Sequence, residues 1–209
     1  MAKRKKSQKL SFSWKTDERE NLEELSDSKL VALALKKIPP ASQEIVRRYQ
    51  KKLFAYLYHL VGNKEEVEDI LQNVFIKVYG NLSHFDKSKK FSSWIYRIAH
   101  NEAVNILKKR GRRRLVSLED ISTSKDKLET SSSEKSPIDS WINKELKKEV
   151  QIAIDRLPSK YKEVLILRYF LDKSYEEMSE ILGKPVNTVG TLLNRARKKL
   201  LQIIRASWK

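Results

Sequence analysis

Apolar residues recur along most of this chain at steps of three and four, the spacing of one buried helical face. From Ser42 onward, Ile45, Tyr49, Leu53, Tyr56, Leu57 and Leu60 form one stripe, and Gly62 follows as a stop. The next stripe, Val67, Ile70, Leu71, Val74, Phe75, Val78, Tyr79 and Leu82, is the most regular in the protein. Asn63 followed three residues later by Glu66 marks its start as a capping box, and Gly80 lies near its end. A third helix is expected from Ser92 to about Lys109, with Ile95, Ile98, Ala99, Ala103 and Ile106 inward. A shorter segment, LVALALKKI over 30–38, predicts one more helix, stopped by Pro39-Pro40 because proline disfavours helix at the residue before it. No stretch alternates with period two for long enough to make a strand.

Between 115 and 140 the periodicity lapses into serine and threonine, with six acidic residues against three lysines, the composition of an extended, flexible linker. Helical spacing resumes near Trp141 and continues to the C-terminus, broken at Pro158 and near Asp172 and Gly183. The expected fold class is all-α: two small helical domains joined by a flexible linker. Residues 1–40 form an N-terminal extension with a short helix, 41–112 the first domain, 113–140 the linker and 141–209 the second domain.

The end of the second domain carries the first chemical signal. Tyr175, Met178 and Leu182 are apolar, Ser179 is small, Gly183 falls in a turn, and Val189 and Leu192 return to the interior. That is the pattern of a helix-turn-helix, which lays its second helix in the DNA major groove. The face opposite the stripe presents Asn187, Gly190, Thr191, Asn194, Arg195, Arg197 and Lys198. Arginine pairs bidentately with guanine and asparagine with adenine. Gly190, inside the helix, costs roughly 1 kcal/mol relative to alanine. Either that weakness is tolerated or the missing side chain lets the backbone approach base edges. An ordinary helical hairpin with a solvated basic face is the competing reading.

Composition strengthens the first reading. The formal net charge is +17 with 34% charged residues over 209 positions, which calls for a polyanionic partner, nucleic acid before an acidic membrane surface. The chain has no cysteine, hence no disulfide, thiolate metal site or thiol nucleophile. Its longest apolar runs, such as VLIL over 164–167, fall far short of the roughly 20 residues of a membrane span. The basic start MAKRKKSQKL is followed by no apolar stretch, so a soluble, cytoplasmic chain is expected. KKRGRRR over 108–114 is a phosphate-binding edge or a solvated patch; the helix before it, bearing Tyr96, Arg97, His100, Asn101 and Lys108, favours the former. Phe91 and Trp94 are base-stacking or core residues, and for Trp94 the core is favoured. Asp69, Gln72 and Asn73 share the polar face of the second helix without a catalytic partner set. His59, His84 and His100 lack metal-ligand spacing, and no phosphate loop or catalytic motif occurs. No enzyme, cofactor, metal or small-molecule substrate is expected.

The order of three motifs then becomes telling: EDILQNVFIKVY (68–79), KFSSWIYRIAHNEAVNILKKRGRR (90–113) and LPSKYKEVLILRYFLDKSYEEMSEILGKPVNTVGTLLNRARKKL (157–200). They resemble successive signatures of bacterial RNA polymerase sigma factors, and the short two-domain form is similar to the extracytoplasmic-function (ECF) group. The resemblance implies that the first domain binds core RNA polymerase through Asp69, Gln72, Asn73 and Ile76. It implies that the same domain opens the −10 promoter element and captures an unstacked base. The residues implied are Phe85, Lys87, Lys89, Lys90, Tyr96, Arg97, His100, Asn101, Lys108, Arg110, Arg112 and Arg113. The second domain would read the −35 element as duplex, through Arg168, Asn187, Thr188, Gly190, Thr191, Asn194, Arg195, Arg197 and Lys198. Promoter DNA and core polymerase are the implied partners, and an anti-sigma factor is a further one that the resemblance allows. The chain departs from the family pattern at Asn105, Lys108, Asp172 and the Met178-Ser179 pair. Two alternatives stand beside it: a helix-turn-helix regulator that works without polymerase, for which no dimer, ligand or phosphoacceptor pattern is found, and a basic RNA-binding protein.

Overall fold

The computed structural model describes residues 22–116 and 149–207, and among these there is no strand. The helices are α1 (Asp27–Leu35), α2 (Pro39–Val61), α3 (Lys64–Asn81), α4 (Phe91–Val116), α5 (149–155), α6 (Ser159–Leu165), α7 (Tyr175–Leu182) and α8 (Val186–Ser207). A short 3₁₀ turn, Leu82–His84, follows α3. The chain divides into two compact units, 1–48 and 49–209.

In the first unit Leu30, Val31, Ala41 and Ile45 are buried. Arg48 gathers the chain before α1 by donating to Asp27 Oδ1 at 2.7 Å and to the Leu25 carbonyl at 3.0 Å. Arg47 holds the buried Glu44 at 2.7 Å, and its guanidinium keeps that carboxyl below its ordinary range. The Pro39-Pro40 pair does more than end a helix: Pro39 is the first residue of α2, where a missing N–H costs nothing. The reversal between the two helices passes through Lys37 at φ 57°.

The second unit opens with the rest of α2. Leu53, Tyr56, Leu57 and Leu60, then Val67, Ile70, Leu71, Val74 and Val78 of α3, and Ile95, Ala99 and Ala103 of α4 are buried. These are the stripes read from the sequence, and each large aliphatic side chain so buried contributes roughly 1.5–3 kcal/mol. Asn63 caps α3 by accepting the Glu66 N–H at 2.9 Å, as expected. The Glu66 side chain does not complete the box; it turns instead to Arg110 at 2.6 Å. That ion pair, with the Arg110 bond to the Val61 carbonyl at 3.1 Å, helps carry α4 past its expected end near Lys109 to Val116. KKRGRRR is therefore helical, because lysine and arginine are good helix formers and Gly111 alone does not stop them. The rest of the expected linker lies outside the described residues.

The last three helices are built around Val164, Leu165, Ile166, Leu167, Met178, Ile181, Leu182, Val189, Leu193 and Ala196, all buried. The end of α6 widens into a π-helical turn, Ile166–Phe170, closed by the Leu171 N–H on the Ile166 carbonyl at 3.2 Å. Asp172 then adopts φ 47°, a left-handed conformation that aspartate tolerates better than most residues. A complete capping box follows, Ser174 Oγ on the Glu177 N–H and Glu177 Oε2 on the Ser174 N–H, and it fixes the start of α7. Gly183 ends α7 at φ 62°. Pro185 then precedes α8, so the helix-turn-helix read from the sequence is present.

Candidate nucleic-acid and polymerase interface

On α8 the two faces separate cleanly. Val189, Leu193 and Ala196 are buried, while Asn187, Thr188, Thr191, Asn194, Arg195, Arg197 and Lys198 are exposed. Thr191 Oγ1 donates back to the Asn187 carbonyl at 2.9 Å. Arg197 Nε donates to the Tyr169 hydroxyl at 2.6 Å, and its guanidinium lies 5.6 Å from that ring. Arg168 is half-buried; it donates to the Lys173 carbonyl at 3.0 Å and stands 5.8 Å from the Tyr175 ring at the start of α7. One expectation needs correction. Gly190 is half-buried at the flank of the exposed α8 face, and a Cβ there would meet the Tyr175 ring at 3.7 Å. The glycine faces α7 because α8 crosses the start of that helix closely, so its side-chain direction is not toward a base edge.

On α3, Asp69, Gln72 and Asn73 are exposed, and Ile76 beside them is 68% exposed.

The −10 candidates divide. Lys87, Lys89, Arg97, Asn101 and Lys108 are exposed. Asp86 shapes the loop that carries Lys87 and Lys89, accepting from the Ser88 N–H at 3.0 Å and the Ser88 hydroxyl at 2.7 Å. Phe85, Tyr96 and His100, expected on a DNA-facing surface, are 7%, 3% and 5% exposed. Phe85 is enclosed by Phe91 and Trp94, with ring centroids 5.4 and 5.2 Å away. Tyr96 packs edge-on against Tyr56 at 5.4 Å and lies under the Lys173 ammonium at 5.2 Å. His100 Nδ1 stands 3.1 Å from the Tyr56 hydroxyl. Phe91 and Trp94 of α4 cover Phe85, Tyr56 of α2 covers Tyr96 and His100, and Lys173 lies over Tyr96, so all three are off the surface. Lys90 is exposed but paired with Glu177 at 3.4 Å, and Arg110 is spent on Glu66. The side chains of Arg112 and Arg113 lie outside the described residues.

Sequence reasoning missed most of a groove between α3 and α4. It encloses about 470 Å³ and is lined by Lys77, Asn81, His84, Trp94, Ile98, Asn101, Glu102 and Asn105. Trp94 is half-buried and forms an apolar wall; Lys77 and Glu102 are paired across the groove, and Asn81 donates to the Lys77 carbonyl at 2.8 Å. Of these, Asn101 was expected at a DNA-facing site, and Trp94 was expected as a base-stacking or core residue, with the core favoured. The signal was available, since 94, 98, 101 and 105 fall on one helical face, but that face mixes aromatic, aliphatic and amide residues.

Beneath these surfaces sits a buried polar group. Burial pushes the Glu163 carboxyl up to about 7, with Lys184 pulling the other way. Burial, with help from Lys184, pushes His100 down to about 4. The Tyr56 hydroxyl is raised well above its ordinary value, mainly by burial and then by Glu163. Among the described residues no His, Cys, Asp or Glu cluster could hold a metal ion, and no helix is long and apolar enough to cross a membrane.

These surfaces fall within stretches that match known families. Residues 45–113 match Sigma-70 region 2, and residues 147–200 match Sigma-70, region 4. The chain is 35% identical over 167 residues to the ECF RNA polymerase sigma factor SigW of Bacillus subtilis, an alignment covering 79% of this chain and 89% of that one. It is 33% identical over 186 residues to the ECF RNA polymerase sigma-E factor of Escherichia coli K12, covering 85% and 94%. A solved structure of the sigma factor RpoE from Bartonella quintana, in complex with the anti-sigma factor NepR, shares the fold. Its TM-score is 0.64 at 20% identity, covering 78% of this chain and 96% of that one. With two region matches in chain order and near full-length relatives, the chain belongs to the ECF RNA polymerase sigma factors of the sigma-70 family.

Proposed function

We propose that this chain docks on core RNA polymerase through the α3 face around Asp69, Gln72, Asn73 and Ile76, and reads a promoter twice. The observation that carries the proposal is the pairing of two unlike surfaces: the exposed basic face of α8 and the α3–α4 groove. The first suits duplex DNA. Asn194 and Arg195 reach base edges, while Arg168, Arg197, Lys198, Asn187 and Thr188 hold phosphates, and Thr191 offers a methyl to thymine. The second suits a base already out of the stack. Trp94 supplies a stacking wall, and Asn101 and Asn105 supply amide donors and acceptors for a base edge. Those contacts offset the few kcal/mol that unstacking costs. Lys87, Lys89 and Lys108 surround this region with charge for the displaced strand's phosphates.

In this reading the chain performs no chemistry of its own and works in the cytoplasm, where polymerase and promoter DNA are. An anti-sigma factor that masks either surface is the regulator it allows. The test is permanganate footprinting of the chain with core polymerase on a responsive promoter. Unpaired thymines should appear near −10, and Trp94→Ala with Asn105→Ala should reduce them while leaving the −35 footprint intact. Loss of both footprints together, or of neither, would contradict the division of labour.

A further inference from the structure

Glu163 to Leu167, at the end of α6, are buried without a break, and the chain then exposes two aromatic side chains in a row. Tyr169 is 57% exposed and Phe170 48%. The π-helical turn produces this arrangement. An α-helix would bond the Leu171 N–H to the Leu167 carbonyl. Here that N–H reaches one residue further back, to Ile166, and the Leu167 carbonyl accepts from the Lys173 N–H at 2.9 Å. Widened turns of this kind are frequent at functional sites. The turn brings Tyr169 to α8, against which α6 packs. There Arg197 Nε donates to the Tyr169 hydroxyl at 2.6 Å, with the guanidinium carbon 5.6 Å from the ring centre. Arg197 follows Asn194 by one helical turn and adjoins Lys198, and all three are exposed.

Resting on the reading of α8 as the duplex-binding helix, we propose that Tyr169 and Arg197 together clamp one backbone phosphate of the −35 element. The contact between them divides their donors. Nε–H is spent on the phenol and fixes the guanidinium, while the N–H groups on its two Nη atoms remain for a phosphate. The hydroxyl accepts through its oxygen and keeps its own O–H to donate, and a hydrogen bond received from a cation strengthens that donor. One phosphate can therefore receive from both side chains. Charge supports the same assignment. Arg47, Arg48 and Arg110 each pair with a carboxylate, whereas Arg197 is held by a neutral phenol that leaves its full charge for an anion. Holding the arginine before DNA arrives reduces the rotamer freedom lost on binding. A phosphate fixed at this point sets the register in which Asn194, one turn earlier, meets a base edge.

The test uses the full chain with core polymerase on a promoter identified by run-off transcription, read by ethylation interference, in which an ethyl group blocks contact with one phosphate. Arg197→Ala and Tyr169→Phe should each lose interference at the same phosphate near −35 and keep it elsewhere. Tyr169→Phe retains the ring and removes only the hydroxyl. It should weaken promoter binding about tenfold, the scale of one hydrogen bond to a charged group. In an Arg197→Ala background the same change should cost much less, because the two side chains share one phosphate. Urea midpoints of the free variants expose a purely structural role, which would lower stability and leave the interference pattern intact. If the polymerase complex forms and transcribes while Tyr169→Phe keeps the wild-type pattern and affinity, the clamp is refuted and the sigma-factor reading stands. Weaker co-elution with core polymerase, with the pattern on DNA unchanged, would give the pair to a carboxylate of the protein partner and also refute it. If no polymerase complex forms, the parent reading falls, and the clamp as a −35 contact falls with it.

Discussion

Glu163 and His100 are 8% and 5% exposed, and burial shifts them in opposite directions. Glu163 is raised from an ordinary 4.5 to about 7, so the stability it contributes is present below pH 4.5 and is lost as pH rises through about 7. His100 is lowered from 6.5 to about 4, so its contribution is present above pH 6.5 and is lost as pH falls through about 4. Between roughly pH 4.5 and 6.5 the native state holds an extra proton on Glu163 and lacks one on His100, and the two slopes cancel. At about 1.4 kcal/mol per tenfold change in proton affinity, each group alone is worth on the order of 3 kcal/mol across its window. Single variants should therefore unmask what the wild type hides. Relative to wild type, Glu163→Gln should gain stability as pH rises from 4.5 to 7. His100→Gln should gain it as pH falls from 6.5 to 4. Urea midpoints at half-unit pH steps, with m-values checked for constancy, measure both. Variant-minus-wild-type differences that do not change with pH would show that neither group is desolvated in the folded chain.

Three further outcomes are expected. Gly190→Ala should raise the urea midpoint, by up to about 1 kcal/mol of helix propensity, because its Cβ meets Tyr175 at an ordinary 3.7 Å. Promoter binding should stay unchanged in a gel-shift titration, and a specific loss there would restore the close-approach reading. Lys198→Ala should reduce the slope of log affinity against log salt on duplex DNA by about 0.9, with little change in sequence preference. A large loss of preference would make it a base reader instead. Asp69→Ala combined with Gln72→Ala should keep the helical circular dichroism yet weaken retention on immobilised core polymerase, and equal retention would move the docking surface elsewhere.

The buried stripes of α2, α3 and α4 were legible because one periodic face of each helix is apolar and the other charged. The helix-turn-helix was legible for the same reason, helped by a glycine that the turn requires at φ 62°. What was not legible depends on long-range neighbours. The length of α4 is supported by Arg110 reaching Glu66, 44 residues away. Tyr96 and His100 look like surface residues in a local pattern, and only the approach of Tyr56 and Lys173 makes them buried. The groove escaped notice because its lining is assembled from α3, the 3₁₀ turn after it and α4, which are brought together only in the fold. Glu163 sits in a run of good helix formers and gives no local sign that it is enclosed.

The central claim is that this chain confers promoter specificity on bacterial core RNA polymerase. Gel filtration of the purified chain with core enzyme, followed by run-off transcription from genomic fragments, tests it most directly. The chain should co-elute with polymerase and yield discrete transcripts that core enzyme alone does not make, and base changes in the matching −35 or −10 element should abolish them. Separate elution, with the chain binding the same fragments unaided, would identify a polymerase-independent regulator and contradict the account.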